Sequence, residues 1–442
     1  MRAQIAKYYE AIAASYWFLP SVMTLTAILF SAVTTFLDER LEGVVTERVP
    51  WLTLNTADGA RTLLSTIAGS MITVAGVTFS ITIAAVAYAT SQLGPHLLGN
   101  FMRDRSNQIT LGTFIATFIY CLLVLRTVQG VEDSTGTTEV FVPHLGVLVG
   151  LVLTLLSLGN LIYFIHHIPK SIHASEVVAE IGEALNSKLD TLFPSGYESR
   201  QPTSRATDHS PIDHSGDGTP AAAVSNGYIT HIDVGGLIST AQAHQLVVRL
   251  RRGPGDFVSI GETIASVHSA GSVEPKILDG IVRSMALNHE RTQTQDTVFL
   301  IQQLVEIAGR ALSPGVNDPF TAINSIDWLG SALGQLGHRP LPGGFLYDED
   351  GTLRLITPSL TFVDFASAMF DDLRPYVSHD RNAAIHTMGV LERLAERIEH
   401  PPYRVTILEH ATALKEAAER SITDPRDLHQ ITTIHDRISK RY

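Results

Sequence analysis

A chain of 442 residues, 45% hydrophobic and 17% charged with a formal net charge of -12, is too long for one ordinary domain. The acidic excess and the lack of a basic patch argue against nucleic-acid binding. The single cysteine, Cys121, excludes an intrachain disulfide framework and a cysteine-based metal site.

No cleavable signal peptide is expected at the N-terminus, so the first span is read as its own insertion signal. That span is residues 16–37, with Tyr16 and Trp17 placed for an interfacial aromatic belt, and it ends at Asp38-Glu39-Arg40. Residues 41–60 read as a polar loop carrying Pro50-Trp51, with Asp58 as N-cap of the next helix. From Thr62 to Met102 there is no Asp, Glu, Lys or Arg, and residues 63–88 alone exceed the ~20 apolar residues that cross a bilayer. Gly94-Pro95 stops this second span. Residues 109–125 make a third, an acidic loop follows at 129–139, and residues 140–168 make a fourth.

Arg2, Lys7, Arg103, Arg105 and Lys170 all fall on one side of a four-span arrangement. The positive-inside bias therefore predicts an inner-membrane protein with both termini cytoplasmic.

The second span carries an unusual stripe. Thr66, Ser70, Thr73, Ser80, Ala84, Ala87 and Ser91 recur at spacings of three, four or seven and share one face, and Gly69 and Gly76 among them would permit a bend if that face lined a conduit. Two readings stand: small residues let helices approach closely, or several copies of the stripe line a conduit whose hydroxyls replace part of an ion's hydration shell.

After the membrane part (1–170), residues 171–193 predict an amphipathic juxtamembrane helix, with Val178, Ile181, Leu185, Leu189 and Leu192 on one face. His166, His167 and His173 beside Glu176 point to different faces, so they read as interfacial histidines and not as a metal site. Residues 194–223 read as a flexible linker, rich in Pro, Ser, Thr, Asp and Gly. Residues 224–285 predict a small β module from short β-branched runs at 226–233, 246–250, 257–258 and 262–267, with turns at Gly253-Pro254-Gly255-Asp256 and Gly261. The run from Gly255 to Glu262 resembles the turn-rich strands of barrel-sandwich hybrid domains. No lysine stands at the hairpin where the carriers of that class attach a cofactor, so no cofactor is expected.

Residues 286–442 read as mainly helical. Helical spacing covers 284–311 and ends at Ser313-Pro314-Gly315; Asp318-Pro319 starts another helix that runs through Trp328. Asp350-Gly351 marks a hairpin within 347–357. Three or four helices follow from Ser359, broken near Arg374-Pro375, His400-Pro401-Pro402 and Asp424-Pro425. Arg291, Gln295 and Asp296, one helical turn apart, with Ser313, Asn317 and Asp318 in the following loop, make a candidate polar cluster. It reads either as a site for a small ligand, an ion or a neighbouring subunit, or as a capped, ion-paired turn. No hydrolase triad, phosphate loop, dinucleotide motif or zinc-protease signature occurs, so no enzymatic activity is expected.

Ala68-Gly69-Ser70-Met71, Thr78-Phe79-Ser80-Ile81, Ser91-Gln92-Leu93-Gly94-Pro95, Asn100-Phe101-Met102-Arg103-Asp104 and the run from Ala311 to Pro319 (ALSPGVNDP) resemble the bacterial membrane-protein family called domain of unknown function 2254. His96 departs from the arginine that the family's pattern has after Pro95. The resemblance covers almost the whole chain and implies a membrane location without a substrate.

The reading is a four-span α-helical membrane domain with a cytoplasmic α+β domain, containing a small β-barrel-like module and a helical C-terminal part. The chain is expected to be a homo-oligomer in the lipid bilayer, an ion channel or transport pore gated through its cytoplasmic domain. The alternative is a non-conducting sensor or scaffold whose soluble domain binds a ligand or protein.

Overall fold

A computed structural model describes residues 15–48, 56–95, 104–130, 140–193, 216–341 and 343–441. Two compact units divide the described chain. One takes the residues up to Ser91 and from Pro95 to His173; the other takes Gln92–Gly94 and everything from Ala174 onward.

Among the described residues of the first unit, four helices are long and apolar enough to cross a membrane. They are α1 (Phe18–Arg48), α2 (Ala57–Leu93), α3 (Arg105–Thr127) and α4 (His144–Ser171). A bilayer core offers backbone groups no partner, so each crossing must be helical to satisfy them internally. The helices overrun the expected spans. The backbone of α1 stays helical to Arg48, beyond Asp38-Glu39-Arg40, so part of the expected polar loop is helix. Helix α2 has 37 residues, about 56 Å at ~1.5 Å per residue. It begins at Ala57, one residue after Thr56, whose hydroxyl accepts the Gly59 N–H; Asp58 lies in the first turn and is not the N-cap. Pro50-Trp51 and most of the acidic loop lie outside the described residues, although Gln129–Gly130 (β1) pairs antiparallel with Val140–Phe141 (β2).

The core of this unit joins Leu64, Ile67 and Ala68 of α2 to Tyr120, Cys121 and Val124 of α3 and Val147 of α4. A second cluster joins Tyr16, Ala75, Leu111 and Phe114.

Ile172 caps α4 within the first unit, and the second unit resumes with α5 (Ala174–Leu192). Its expected apolar face is buried at Val178, Ile181, Leu185 and Leu189, whereas Leu192 is exposed. Residues 194–215 of the expected linker lie outside the described residues. The end of that stretch is not linker: Thr219–Ala222 is a strand, β3. Pro220 is tolerated there because β3 is an edge strand, where a missing N–H interrupts no ladder.

The β module is two open sheets and not a closed barrel. β4 (Gly227–Ile232), β5 (Val247–Leu250), β6 (Phe257–Val258), β7 (Thr263–His268) and β8 (Met285–Asn288) are joined by α6 (Val234–Ala243) and α7 (Pro275–Arg283). The expected hairpin, β9 (Phe345–Tyr347) and β10 (Leu353–Ile356), turns at Gly351 with φ +76°. The five-stranded order is β3-β7-β5-β10-β9 and the three-stranded order is β6-β4-β8. β10 joins β5 in parallel, so a hairpin about a hundred residues downstream by sequence number completes the sheet. Ile229, Leu237, Val248, Val258, Ile264, Ile281 and Leu355 form the module's core.

The rest is a helical bundle of α5 with α8 (Thr297–Ala311), α9 (Pro319–Leu336), α10 (Phe362–Val377), α11 (Arg381–Arg397), α12 (Pro401–Ser421) and α13 (Pro425–Ser439). Helix α8 starts at Thr297, later than the spacing suggests, because the buried Asp296 side chain accepts the Phe299 N–H and caps it there. Pro375 lies within the last turn of α10, which ends two residues on at Val377, so the chain breaks close to Arg374-Pro375 as expected. Gly182 lets the Trp328 ring of α9 lie against α5, since a Cβ there would stand 2.2 Å from the ring.

Candidate functional site

Residues of α2 buried within the membrane unit are Ala60, Leu64, Ile67, Ala68, Ala75, Thr78, Thr82, Val86 and Ala89. At ~100° per residue these fall along one seam. Thr66, Gly69, Ser70, Thr73, Gly76 and Ser80 fall on the opposite side, and all six are exposed. A Cβ added at Gly69 or Gly76 would meet nothing within 4 Å. The hydroxyls of Thr66, Thr73 and Ser80 donate to the carbonyls of Thr62, Gly69 and Gly76, at 2.7, 2.8 and 2.9 Å. Their protons are therefore spent within the helix, and each oxygen presents only lone pairs outward. Exposed Ile72, Val77, Ile81 and Ile83 flank the stripe. The chain thus builds an apolar helix with one small, acceptor-bearing face turned away from its own core.

The polar cluster expected at one helix junction is two separate groups. Arg291, Gln295 and Asp296 precede α8; Ser313, Asn317 and Asp318 follow it, about 22 Å away by the ~1.5 Å rise of its 15 residues. In the first group Arg291 donates through Nε (2.8 Å) and Nη2 (2.6 Å) to Asp296 Oδ2. Its Nη1 donates to Gln302, and its guanidinium lies 5.4 Å from the Phe299 ring centroid. Gln295 pairs with strand β4, accepting the Ile232 N–H at 2.8 Å and donating to the Ile232 carbonyl at 3.1 Å. Lys188 of α5 donates to the Gln293 carbonyl. Burial holds the Lys188 ammonium below the ordinary lysine value, with the Asp296 carboxylate opposing. This loop therefore ties sheet, α5 and α8 together.

In the second group, Asp318 accepts the Phe320 and Thr321 N–H groups, each at 3.2 Å, and the Thr321 hydroxyl at 2.6 Å. Asn317 adopts φ +52°, a left-handed conformation asparagine tolerates, and Ser313 donates to the Arg310 carbonyl. Asp318→Ala is expected to cost about 0.5–2 kcal/mol through loss of the N-cap, read as a lower melting temperature of the purified protein. Unchanged stability with loss of an ion or ligand response would instead make this turn a binding site. Phe320 is 76% exposed and Val316 38% exposed beside it, so the turn also presents an apolar surface.

The membrane unit holds a further polar feature that the sequence reading does not single out. Down the α3–α4 interface, Thr117 pairs with Ser157 (3.0 Å), Asn160 bridges Thr110 and Thr113 (3.3 Å each), Ser106 meets Tyr163 (3.2 Å) and Asp104 meets His167 (2.8 Å). His167, one of the interfacial histidines, thus takes a carboxylate partner and stacks on Tyr163. Toward the other end, Tyr120 pairs with Thr34 and donates to the Gly146 carbonyl. Asp38 there accepts the N–H groups of Leu145 and Gly146, both at 2.8 Å, at the N-terminus of α4. The signal in the sequence is the polar residues of α3 recurring at three to four; their partners on α4 are set only by packing.

Four membrane-length helices joined to a sheet-and-helix unit define a multi-span membrane protein with a large second unit. The chain belongs to the family of predicted membrane proteins called DUF2254, whose model matches residues 13–393. It is similar to uncharacterized protein Rv1290c of Mycobacterium tuberculosis and uncharacterized protein Mb1321c of Mycobacterium bovis, each 29% identical over 376 residues, covering 84% of this chain and 70% of the relative. No solved structure matches the chain.

Proposed function

We propose that this protein is a non-enzymatic, homo-oligomeric membrane pore in which the outward stripe of α2, contributed by several copies, lines an ion path gated through residues 174–442. The carrying observation is the set of six small or hydroxyl residues exposed on one face, directly opposite the buried seam. Lipid tails gain little from such a face, whereas outward oxygen lone pairs can replace part of a cation's hydration shell. A net charge of -12 also favours a cation over an anion near the protein. In this reading both termini are cytoplasmic and the membrane is the bacterial inner membrane, as the Lys and Arg bias favours.

A second reading, a non-conducting sensor or scaffold, is favoured by the same hydroxyls bonding back to their own helix. The face they leave is flat and small, which suits dry contact between helices. The exposed Phe320 and Val316 would then serve a protein partner.

The two are separated by cysteine accessibility with Cys121 replaced by Ala. Cysteines at Thr66, Thr73 and Ser80 are expected to react with a water-soluble thiol reagent and to alter current in a reconstituted bilayer, while Ile72, Ile81 and Ile83 stay shielded. Absence of both labelling and conductance under voltage, tension or changed ionic conditions would overturn the pore and leave the scaffold.

A further inference from the structure

A cavity of about 600 Å³ lies between α1 and α3, wholly within the membrane unit. The two helices run parallel and touch at Gly112, where an added Cβ would come within 3.1 Å of Pro20 Cα. Further along, the Tyr120 phenol reaches across to Thr34, and the cavity runs beside this bridge, from Ile28 to Glu39 on α1. Ile28, Ala32, Phe36 and Leu123 line its apolar part, and Glu39 and Arg126 stand at one end.

Its dimensions match one leaflet. From Ile28 to Glu39 the wall of α1 rises about 16 Å, close to half of the ~30 Å hydrocarbon core. Glu39 and Arg126 each stand one residue before the end of their spans, Phe18–Arg40 and Arg105–Thr127, and so at the same membrane edge. They carry opposite charges and line one cavity, yet they do not pair with each other, and neither takes an ion pair or hydrogen bond among the described residues. A groove one leaflet deep, with an apolar wall at Ile28, Ala32, Phe36 and Leu123, hydroxyls at Ser31, Thr35 and Thr127, and a separated cation and anion at one end, has the pattern of a zwitterionic lipid in negative.

We propose that this groove binds a bilayer phospholipid whose headgroup carries a phosphate and a primary ammonium. The phosphate meets Arg126, the ammonium meets Glu39, and one acyl chain lies along Ile28, Ala32, Phe36 and Leu123. An anionic headgroup without the ammonium leaves Glu39 facing a like charge. A quaternary ammonium fills the space but has no N–H to donate to the carboxylate. The order of preference is therefore phosphatidylethanolamine over phosphatidylcholine and phosphatidylglycerol. The inference is independent of whether α2 lines a pore.

The test uses the purified, delipidated full chain in detergent, titrated with dioleoyl phosphatidylethanolamine, phosphatidylcholine or phosphatidylglycerol, with bound lipid counted by native mass spectrometry. Phosphatidylethanolamine is expected to bind roughly tenfold more tightly than the other two, the worth of one charge-assisted hydrogen bond. Glu39→Gln should abolish the preference over phosphatidylcholine, and Arg126→Gln should weaken all three lipids. Neither residue has a partner to lose among the described residues, so both variants should melt as the parent does. Ala32→Trp, which fills the groove, should remove the bound lipid without touching either charge. Equal binding of the three lipids, or a preference unmoved by both charge variants, would overturn the proposal. So would Thr35→Cys, in the Cys121→Ala background, crosslinking two copies through a groove that retains no lipid, because a second copy would then be the occupant.

Discussion

Asp296→Ala is expected to destabilise the second unit by about 3–5 kcal/mol, the usual cost of removing one member of a buried ion pair. Asp296 is 4% exposed and accepts two N–H groups from Arg291 as well as the Phe299 N–H that starts α8. Its loss leaves the Arg291 guanidinium, 23% exposed, with Gln302 and the Phe299 ring but no countercharge. It also leaves the first turn of α8 uncapped. Scanning calorimetry of the purified chain should show one transition moving down by several degrees while that of the membrane unit stays in place. The double variant Arg291→Leu, Asp296→Ser keeps a capping oxygen and removes both charges, so it should recover most of the loss. Equal destabilisation in both variants would show that packing around the arginine, and not the unpaired charge, carries the effect.

In the membrane unit the largest effect is expected from Asp38→Ala. A carboxylate 6% exposed in a spanning helix is tolerated because it meets the N–H groups of Leu145 and Gly146 at the positive end of α4. Hydrogen bonds to a charged group are worth ~1.5–3 kcal/mol each, so losing two costs about 3–6 kcal/mol. The neighbouring Thr34–Tyr120–Gly146 contacts should loosen with them. Asp38→Asn keeps one acceptor oxygen and should fall between the parent and the alanine variant. Thermal denaturation in detergent gives the order, and an alanine variant as stable as the parent would mean that water caps α4 equally well.

Carboxylates stand at both ends of the polar contacts that run down α3, Asp38 at one and Asp104 at the other. Between them Asn160 bridges Thr110 and Thr113 through its amide, a group that holds helices together but does not relay protons. The α3–α4 contact is therefore adhesion between spans. The conducting face, in the function proposed, is the opposite side of a different helix.

How much of the protein can be read from its sequence depends on the range of the interaction involved. The four spans were legible because each is a local property: an apolar run long enough to cross a bilayer must be helical to satisfy its own backbone. The stripe of α2 was legible because a helix maps sequence spacing onto a face, and the exposure of Thr66, Gly69, Ser70, Thr73, Gly76 and Ser80 follows that mapping. The Asp318 cap was legible because its partners lie two and three residues away. Most of the short strands were likewise marked by β-branched runs and glycine turns. Tertiary structure decided the rest. Apolar spacing carried the start of α8 too far back, because the capping role of Asp296 appears only once Arg291 and the turn close around it. The polar cluster separated into two because the helix between its halves is a rigid spacer. The module opened into two sheets, not a barrel, because β10 pairs with β5 from far along the chain. The partners of Asp38, Asp104 and Tyr120, and the unpaired facing of Glu39 and Arg126, depend on which helices become neighbours. Such contacts between residues far apart in the chain leave no periodic trace in the sequence, and only the packed helices bring them together.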